Sequence, residues 1–308
     1  MHLPGRREPR LFVSVLLHGN EPTGLYAIQS LLCDYAGREL PRALSIFVGN
    51  VSAAAQGMRR LDGQPDYNRV WGGGDDPEHK MMAQVTDEMR RRGVMASIDI
   101  HNNTGLNPHY ACINRLDSCF LQLAAMFGRT VVYFTQPEGV QSLAFADICP
   151  SVTLECGQPG QRYGVEHARD YVDACLNLAD IPVHPVAARD IDVFHTMAIV
   201  TVPERNSFGF GGEDVQLQFF EDIDHFNFSE LPVGTCFGWR HSVDAYLACQ
   251  DEYGNDVSDR YFSYDNNKIQ LATSVMPAML TLDEKVIRQD CFCYLMERLD
   301  VESVTREG

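Results

Sequence analysis

A histidine and a glutamate three residues apart follow the first strongly apolar stretch of the chain. His18, Gly19, Asn20 and Glu21 come directly after Leu11–Leu17, and an apolar run of this length predicts a buried strand. An imidazole and a carboxylate at this spacing, where a strand gives way to a helix, can reach one cation, and zinc accepts both ligand types. The pair alone is weak, because a surface histidine beside a glutamate in the first turn of a helix has the same pattern.

A second histidine stands at the end of another apolar stretch. Val94–Ile100 predicts a strand that leads directly into His101. Strand ends converge at the edge of an open α/β sheet, so His101 can join His18 and Glu21. Two histidines and a glutamate form the three-ligand set of a catalytic zinc, with the fourth position left for water. Asp99 either orients one of the imidazoles or, as a residue on an alternating strand, points to the other side.

Two further polar elements complete the set of candidate residues. Asn68 and Arg69 lie in a polar loop, with Arg60 shortly before them; an amide and a guanidinium suit a carboxylate, although a solvated loop charge is the alternative. Glu155 ends the apolar run Ser151–Leu154, and a carboxylate there is costly unless it is paired or functional. Beside a metal it could accept a proton from bound water; otherwise it turns outward at the strand end.

The elements that must position these residues alternate between strand and helix. Strands are predicted at Leu11–Leu17, Ser45–Gly49, Val94–Ile100, Thr130–Phe134 and Ser151–Leu154, and amphipathic helices separate most of them. This alternation predicts a mixed α/β sheet flanked by helices. Pro182 and Pro185 break the last helix, and the short β-like runs beyond them predict a second, mostly β domain. We expect a catalytic domain at residues 1–182 and a smaller domain at residues 183–308 that walls the active site.

Composition excludes several classes of partner. The formal net charge of −17 makes nucleic acid and anionic membrane surfaces unfavourable partners. Leu11–Leu17 is too short to span a bilayer and lacks the cleavage site of a secretory signal, so the expected compartment is the cytoplasm. The oligomeric state is left open, with a homo-oligomer among the options.

Taken together and in this order, the motifs resemble the succinylglutamate desuccinylase/aspartoacylase branch of the zinc carboxypeptidase superfamily. The resemblance rests on H-G-N-E, on D-Y-N-R with an arginine upstream, on D-I-H-N, and on E-C-G after a later strand. It covers the first domain, and the small β domain also suits this branch. It implies one Zn²⁺ per chain, held by His18, Glu21 and His101. It also implies that Glu155 is the base and later the acid, and that Arg60 polarises the scissile carbonyl.

The same resemblance implies that Asn68, Arg69 and Asn102 contact a small substrate that carries a carboxylate. The predicted activity is zinc-dependent hydrolysis of the amide bond of a small N-acyl amino acid. A zinc carboxypeptidase acting on short peptides and a non-catalytic module that binds a metal or an amino acid are the alternatives. Aspartoacylase has an additional arginine before its catalytic glutamate, and the corresponding stretch Gln141–Pro150 has none. A neutral or apolar amino acid is therefore expected.

Overall fold

The computed structural model describes residues 1–212 and 214–300, which divide into two compact units. The first unit comprises Met1–Asn102 and His109–Phe194, together with Leu299 and Asp300. The second comprises Asn103–Pro108 and His195–Arg298. The predicted domain boundary at residue 182 and the predicted walling of the active site by the second domain stay predictions.

The first unit is built from seven strands and six helices among the described residues. They are β1 (His2–Leu3), β2 (Arg10–Val15), α1 (Thr23–Asp34), β3 (Leu44–Val48), α2 (Val51–Ala54), α3 (Pro77–Arg92), β4 (Val94–His101), β5 (Tyr110–Ile113), α4 (Ser118–Ala125), β6 (Thr130–Tyr133), α5 (Gln141–Phe145), β7 (Ser151–Glu155) and α6 (Arg162–Asn177). The strand order is β1-β3-β2-β4-β7-β5-β6. Strands β3, β2, β4 and β7 are parallel neighbours, whereas β1 and β5 pair antiparallel with β3 and β7.

Both faces of this sheet are covered by helices because successive strand residues point to opposite sides. On β2, Leu11 and Val13 pack into a cluster with apolar residues of α1, α4 and α6. The intervening Phe12 packs into a second cluster with Met82 of α3 and Phe145 of α5. The predicted mixed α/β sheet flanked by helices is confirmed.

The second unit is rich in short strands. After β8 (Asp192–Thr201), which begins in the first unit, the elements are β9 (Phe208–Phe210), β10 (Leu217–Phe219), β11 (Cys236–Arg240), β12 (Ala248–Asp251), α7 (Ser258–Tyr261), β13 (Phe262–Ser263), β14 (Lys268–Leu271), β15 (Met276–Ala278), α8 (Glu284–Gln289) and β16 (Cys293–Leu299). Five of them form a sheet in the order β13-β14-β11-β10-β9. Phe219, Phe237 and Phe292 are fully buried in the core of this unit. The smaller, β-rich second part of the predicted fold is confirmed.

Three parallel neighbours of the first sheet end at one edge and carry the candidate residues there. Strand β2 leads to His18 and Glu21, β4 ends on His101 and β7 ends on Glu155. The register pairs His101 with Glu155 on the adjacent strand. Among the residues with described coordinates, no helix is both long enough and apolar enough to cross a membrane.

Candidate metal centre

His18, Glu21 and His101 converge in the interior of the first unit. Each of the three side chains is buried, and one potential ligand atom from each lies within 4.8 Å of the others. The Nδ1 atom of His18 lies 2.9 Å from one carboxylate oxygen of Glu21, and the Nδ1 atom of His101 lies 2.8 Å from the other. Two imidazole nitrogens and a carboxylate are the donor set that suits a zinc ion. The residues present therefore fit the metal that the sequence predicted.

The turn that carries His18 and Glu21 is shaped by two backbone positions. Leu16 has a φ of 56°, so the strand conformation ends before the turn begins. A Cβ atom on Gly19 would lie 2.3 Å from the backbone nitrogen of Ala54, so only glycine allows this close approach. The turn therefore packs directly against α2.

A carboxylate faces the second nitrogen of each histidine. The Nε2 atom of His18 lies 3.0 Å from Asp66, and the Nε2 atom of His101 lies 2.7 Å from Asp99. These contacts orient both rings with Nδ1 toward Glu21, as outer carboxylates do in metal sites. Of the two alternatives for Asp99, the structure therefore agrees with the one in which its carboxylate contacts and orients an imidazole.

The electrostatics of the centre follow from burial and from these neighbours. Burial lowers the pKa of His101, but the Asp99 and Glu21 carboxylates outweigh burial and raise it well above its usual value. Burial and Arg59 lower the pKa of His18, yet Glu21 and Asp66 leave it raised. Burial raises the pKa of Glu21, but the two histidines hold it below its usual range. The carboxylates thus favour the charged form of both imidazoles, and the imidazoles favour the charged form of Glu21.

Of the two adjacent arginines, Arg59 is the one that contacts the cluster. Its guanidinium is buried, donates to one Asp66 oxygen from Nε and Nη2 at 3.3 and 3.0 Å, and lies 3.6 Å from Glu21. The carbonyl of Arg59 also accepts the backbone N–H of Gly19 at 3.0 Å, which fixes this segment against the metal-site turn. The Arg60 guanidinium donates instead to the backbone carbonyl of Gln64 at 2.9 Å.

The predicted substrate-binding residues also lie in the first unit. The amide nitrogen of Asn68 lies 3.4 Å from His101 Nε2, and its amide oxygen accepts the backbone N–H of Gln141 at 2.9 Å. The Arg69 guanidinium donates to the backbone carbonyl of Asn68 at 2.9 Å. The planar fork of a guanidinium carries five N–H donors, a geometry that suits a carboxylate.

Asn102 makes contacts on three sides. Its backbone N–H donates to Glu21 at 3.1 Å, its side-chain oxygen accepts the N–H of Thr23 at 3.3 Å, and its side-chain nitrogen donates to the carbonyl of Gly157 at 2.9 Å. The side chain thus ties the turn after β2 to the turn after β7. Its assignment to substrate binding stays a prediction.

Glu155 lies beside the cluster and is not one of its three members. It is 8% exposed, and the backbone N–H of the next residue, Cys156, donates to the carbonyl of His101 at 3.0 Å. Burial raises the pKa of the Cys156 thiol well above its usual value, and the charge of Glu155 adds to that rise. Glu155 thus ends the strand beside the one that ends on His101, and its role as a base stays a prediction.

A family model of the succinylglutamate desuccinylase/aspartoacylase catalytic domain matches residues 7–181, more than half of the 308-residue chain. The chain belongs to this family. The family predicted from the motifs is thereby confirmed. A search of curated proteins by sequence found no match for this desuccinylase/aspartoacylase-family protein.

Solved structures share the fold of this family member. Succinylglutamate desuccinylase from Chromobacterium violaceum has 15% identity, a TM-score of 0.60 and coverage of 94% of this chain and 85% of that chain. Murine aminoacylase 3 has 17% identity, a TM-score of 0.58 and coverage of 95% and 97%. The ectoine utilization protein EutE (DoeB) from Ruegeria pomeroyi, in a product-bound structure, has 14% identity, a TM-score of 0.64 and coverage of 97% and 88%. At these identities the likeness establishes the fold alone.

The sequence patterns of this family member assigned no role to Arg59 or Asp66, both of which contact the cluster, and the role expected of Arg60 stays a prediction. Arg59 directly precedes Arg60, so spacing along the chain gave no reason to prefer it. Asp66 was identified only as the first letter of D-Y-N-R, although it bonds His18 across 48 positions. No local pattern encodes such a pairing.

Proposed function

We propose that this protein is a zinc-dependent hydrolase that cleaves the amide bond of small N-acyl amino acids. The observation that carries the proposal is the convergence of His18, Glu21 and His101 with a buried Glu155 on the adjacent strand. Three ligands with a separate carboxylate are what a hydrolytic metal site requires, whereas a module that only binds a metal has no use for the carboxylate. Membership of the desuccinylase/aspartoacylase family supports the acyl amino acid as the substrate class.

In this proposal His18 and His101 would hold the zinc ion through their imidazoles, and Glu21 would hold it through its carboxylate. Bound there, zinc would make water acidic enough to attack at neutral pH and would polarise the substrate carbonyl. Glu155 takes a proton from the attacking water and later delivers it to the leaving amine. The C–N bond breaks, the oxygen of water joins the acyl carbon, and the products are a carboxylate and a free amino acid.

The negative charge that develops on the carbonyl oxygen needs a fixed cation, and we assign that role to Arg59. The family resemblance implied Arg60 for this role, but the Arg59 guanidinium lies 3.6 Å from Glu21, whereas Arg60 bonds a loop carbonyl. A preoriented donor at this point stabilises the transition state more than the substrate.

Asn68 and Arg69 hold the α-carboxylate of the amino acid. Arg69 suits this role because a guanidinium can pair with a carboxylate through two parallel hydrogen bonds. The absence of arginine from residues 141–150 supports a neutral or apolar side chain on the substrate. The stretch contains only one ionisable carboxylate, Asp147, which pairs with Arg115.

The test is a comparison of kcat/KM on the zinc-loaded protein. N-acetyl amino acids with neutral and acidic side chains are set against dipeptides and tripeptides with the same C-terminal residue. We expect N-acetyl derivatives of neutral amino acids to be cleaved best. Efficient cleavage of tripeptides with little action on N-acetyl amino acids would show that the protein is a carboxypeptidase. If neither class of substrate were cleaved, a non-catalytic binding module would be the remaining interpretation.

A further inference from the structure

A serine in the middle of a buried strand bonds the carboxylate that orients one of the metal-site histidines. Ser14 lies on β2, whose six residues are all buried, and it is fully buried itself. Its hydroxyl donates to Asp99 Oδ1 at 2.6 Å, and the two residues are register partners on the parallel strands β2 and β4. A buried hydroxyl is costly without a partner, so this contact accounts for a polar residue among apolar ones.

The two carboxylate oxygens of Asp99 contact two different residues. It is also fully buried, and its other oxygen lies 2.7 Å from Nε2 of His101. A buried carboxylate is held in one orientation only when hydrogen bonds satisfy both oxygens. The Ser14 hydroxyl therefore fixes the rotation of Asp99, and Asp99 in turn fixes the ring of His101 with Nδ1 toward Glu21.

The other histidine is held by a separate set of partners. Asp66, which faces Nε2 of His18, receives hydrogen bonds from Arg59 and from the backbone N–H of Asn68. Within the described part of the chain, the Ser14 hydroxyl bonds Asp99 and makes no contact with Asp66 or His18. The hydroxyl of Ser14 thus acts on one ligand only, along one path.

We propose that Ser14 is a positioning residue that acts through Asp99 on His101 and so sets the affinity of the centre for its metal. The inference rests on the proposed role of His18, Glu21 and His101 as metal ligands. Partners one step removed from a metal are typically worth about 10- to 100-fold in affinity. Ser14 is two steps removed, so we expect the lower end, about tenfold.

The experiment measures the affinity of metal-free protein for Zn²⁺ by competition with a chromophoric chelator, which needs no substrate. Ser14→Ala should weaken binding about tenfold, and Asp99→Asn should weaken it about 10- to 100-fold. The double variant should bind no more weakly than Asp99→Asn alone, because the serine acts only through the aspartate. Ser14→Thr keeps the hydroxyl and should retain an affinity near that of the unmodified protein.

Ser45→Ala is the matched control, because Ser45 is another buried strand serine whose hydroxyl contacts Arg10 and His2 and not the metal centre. Its zinc affinity should stay within about twofold of the starting value. If Ser14→Ala does not fold, Ser14→Cys takes its place, because a thiol fills the space but is a weak donor.

Unchanged affinity in the Ser14 variants, or additive losses in the double variant, would overturn this inference while leaving the metal centre intact. If the unmodified protein bound no Zn²⁺, the metal centre itself and the inference would both fail. If it bound Zn²⁺ and the Ser14 coupling held, but no acyl amino acid were cleaved, only the proposed activity would fall.

Discussion

Replacing Arg59 by glutamine should damage both the stability and the activity of the protein. Arg59 is 7% exposed and donates two hydrogen bonds to the buried Asp66 carboxylate. Removing one partner of a buried ion pair costs about 3–5 kcal/mol, because the remaining charge is left without compensation. Asp66 keeps His18 and the Asn68 N–H as partners, which places the expected loss near the lower limit, at about 3 kcal/mol.

Urea unfolding of metal-free protein measures this loss. With a denaturant slope of about 3 kcal/mol/M, the midpoint of Arg59→Gln should fall by about 1 M. Arg60→Gln is the matched control one residue away, because the Arg60 guanidinium bonds a backbone carbonyl and not a buried carboxylate. A bond of that kind is worth about 0.5–1.5 kcal/mol, so its midpoint should fall by at most about half as much.

Activity of the same two variants, normalised to bound zinc, tests the assignment of the carbonyl-polarising arginine. Loss of one donor to a developing oxyanion costs about 10²- to 10³-fold, and we expect that loss in kcat/KM for Arg59→Gln. The control should lose less than about tenfold, because the Arg60 guanidinium bonds a loop carbonyl away from the cluster. If the control were the more damaged of the two, the polarising role would return to Arg60. If Arg59→Gln unfolded at the same urea concentration as the starting protein, the argument from the buried pair would be refuted.

Four further outcomes are expected. Elemental analysis should find about one zinc per chain in metal-replete protein and much less in His18→Ala and His101→Ala; full occupancy in both would contradict the ligand assignment. Glu155→Gln should keep zinc and lose about 10²- to 10⁴-fold in kcat, and zinc loss with activity retained after reconstitution would reverse the roles. Arg69→Gln should lower kcat/KM for N-acetyl amino acids about 10- to 100-fold, and an unchanged value would contradict a contact between Arg69 and the substrate carboxylate. Burial and His167 lower the pKa of His109 from 6.5, so just below that pH the unfolded chain binds more protons than the folded one. The free energy of unfolding should therefore decrease as the pH falls below 6.5. His109→Gln should make this pH dependence weaker in urea titrations, and an unaltered pH dependence would contradict the role of His109.

Much of the first unit could be predicted because its elements carry strong local patterns. Asp76 and Pro77 are typical of the start of a helix and Gly93 of its end, and they bound α3, Pro77–Arg92, where Gly93 has the positive φ of 75° that favours glycine. The strand predicted at Val94–Ile100 is β4, which extends by one residue to His101. In both elements the spacing of the apolar residues and the residues at the ends predict the same boundaries. The prediction of neither element therefore depended on distant contacts.

Other elements could not be predicted from local pattern. The strand predicted to Leu17 ends at Val15, because Leu16 takes a positive φ that an apolar run does not signal. Residue types favour a strand at Ala245–Ala248, but the strand that forms is β12, Ala248–Asp251, because antiparallel pairing with β8 determines which residues become extended. Helices α2 and α5 are four and five residues long, too short to show a helical period.

In the candidate site, too, some positions could be predicted from local pattern and others could not. The positions of His18, His101 and Glu155 followed from one rule, since each stands where an apolar run ends and parallel strands end at one edge. The choice between Arg59 and Arg60 has no such rule, because neighbouring residues of a loop share every local signal. It is decided by the backbone bond from Gly19 to the Arg59 carbonyl and by the close packing of that glycine on Ala54. The two contacts join positions 40 and 35 residues apart, so the arginine that faces the cluster is determined by tertiary packing and not by its spacing from D-Y-N-R.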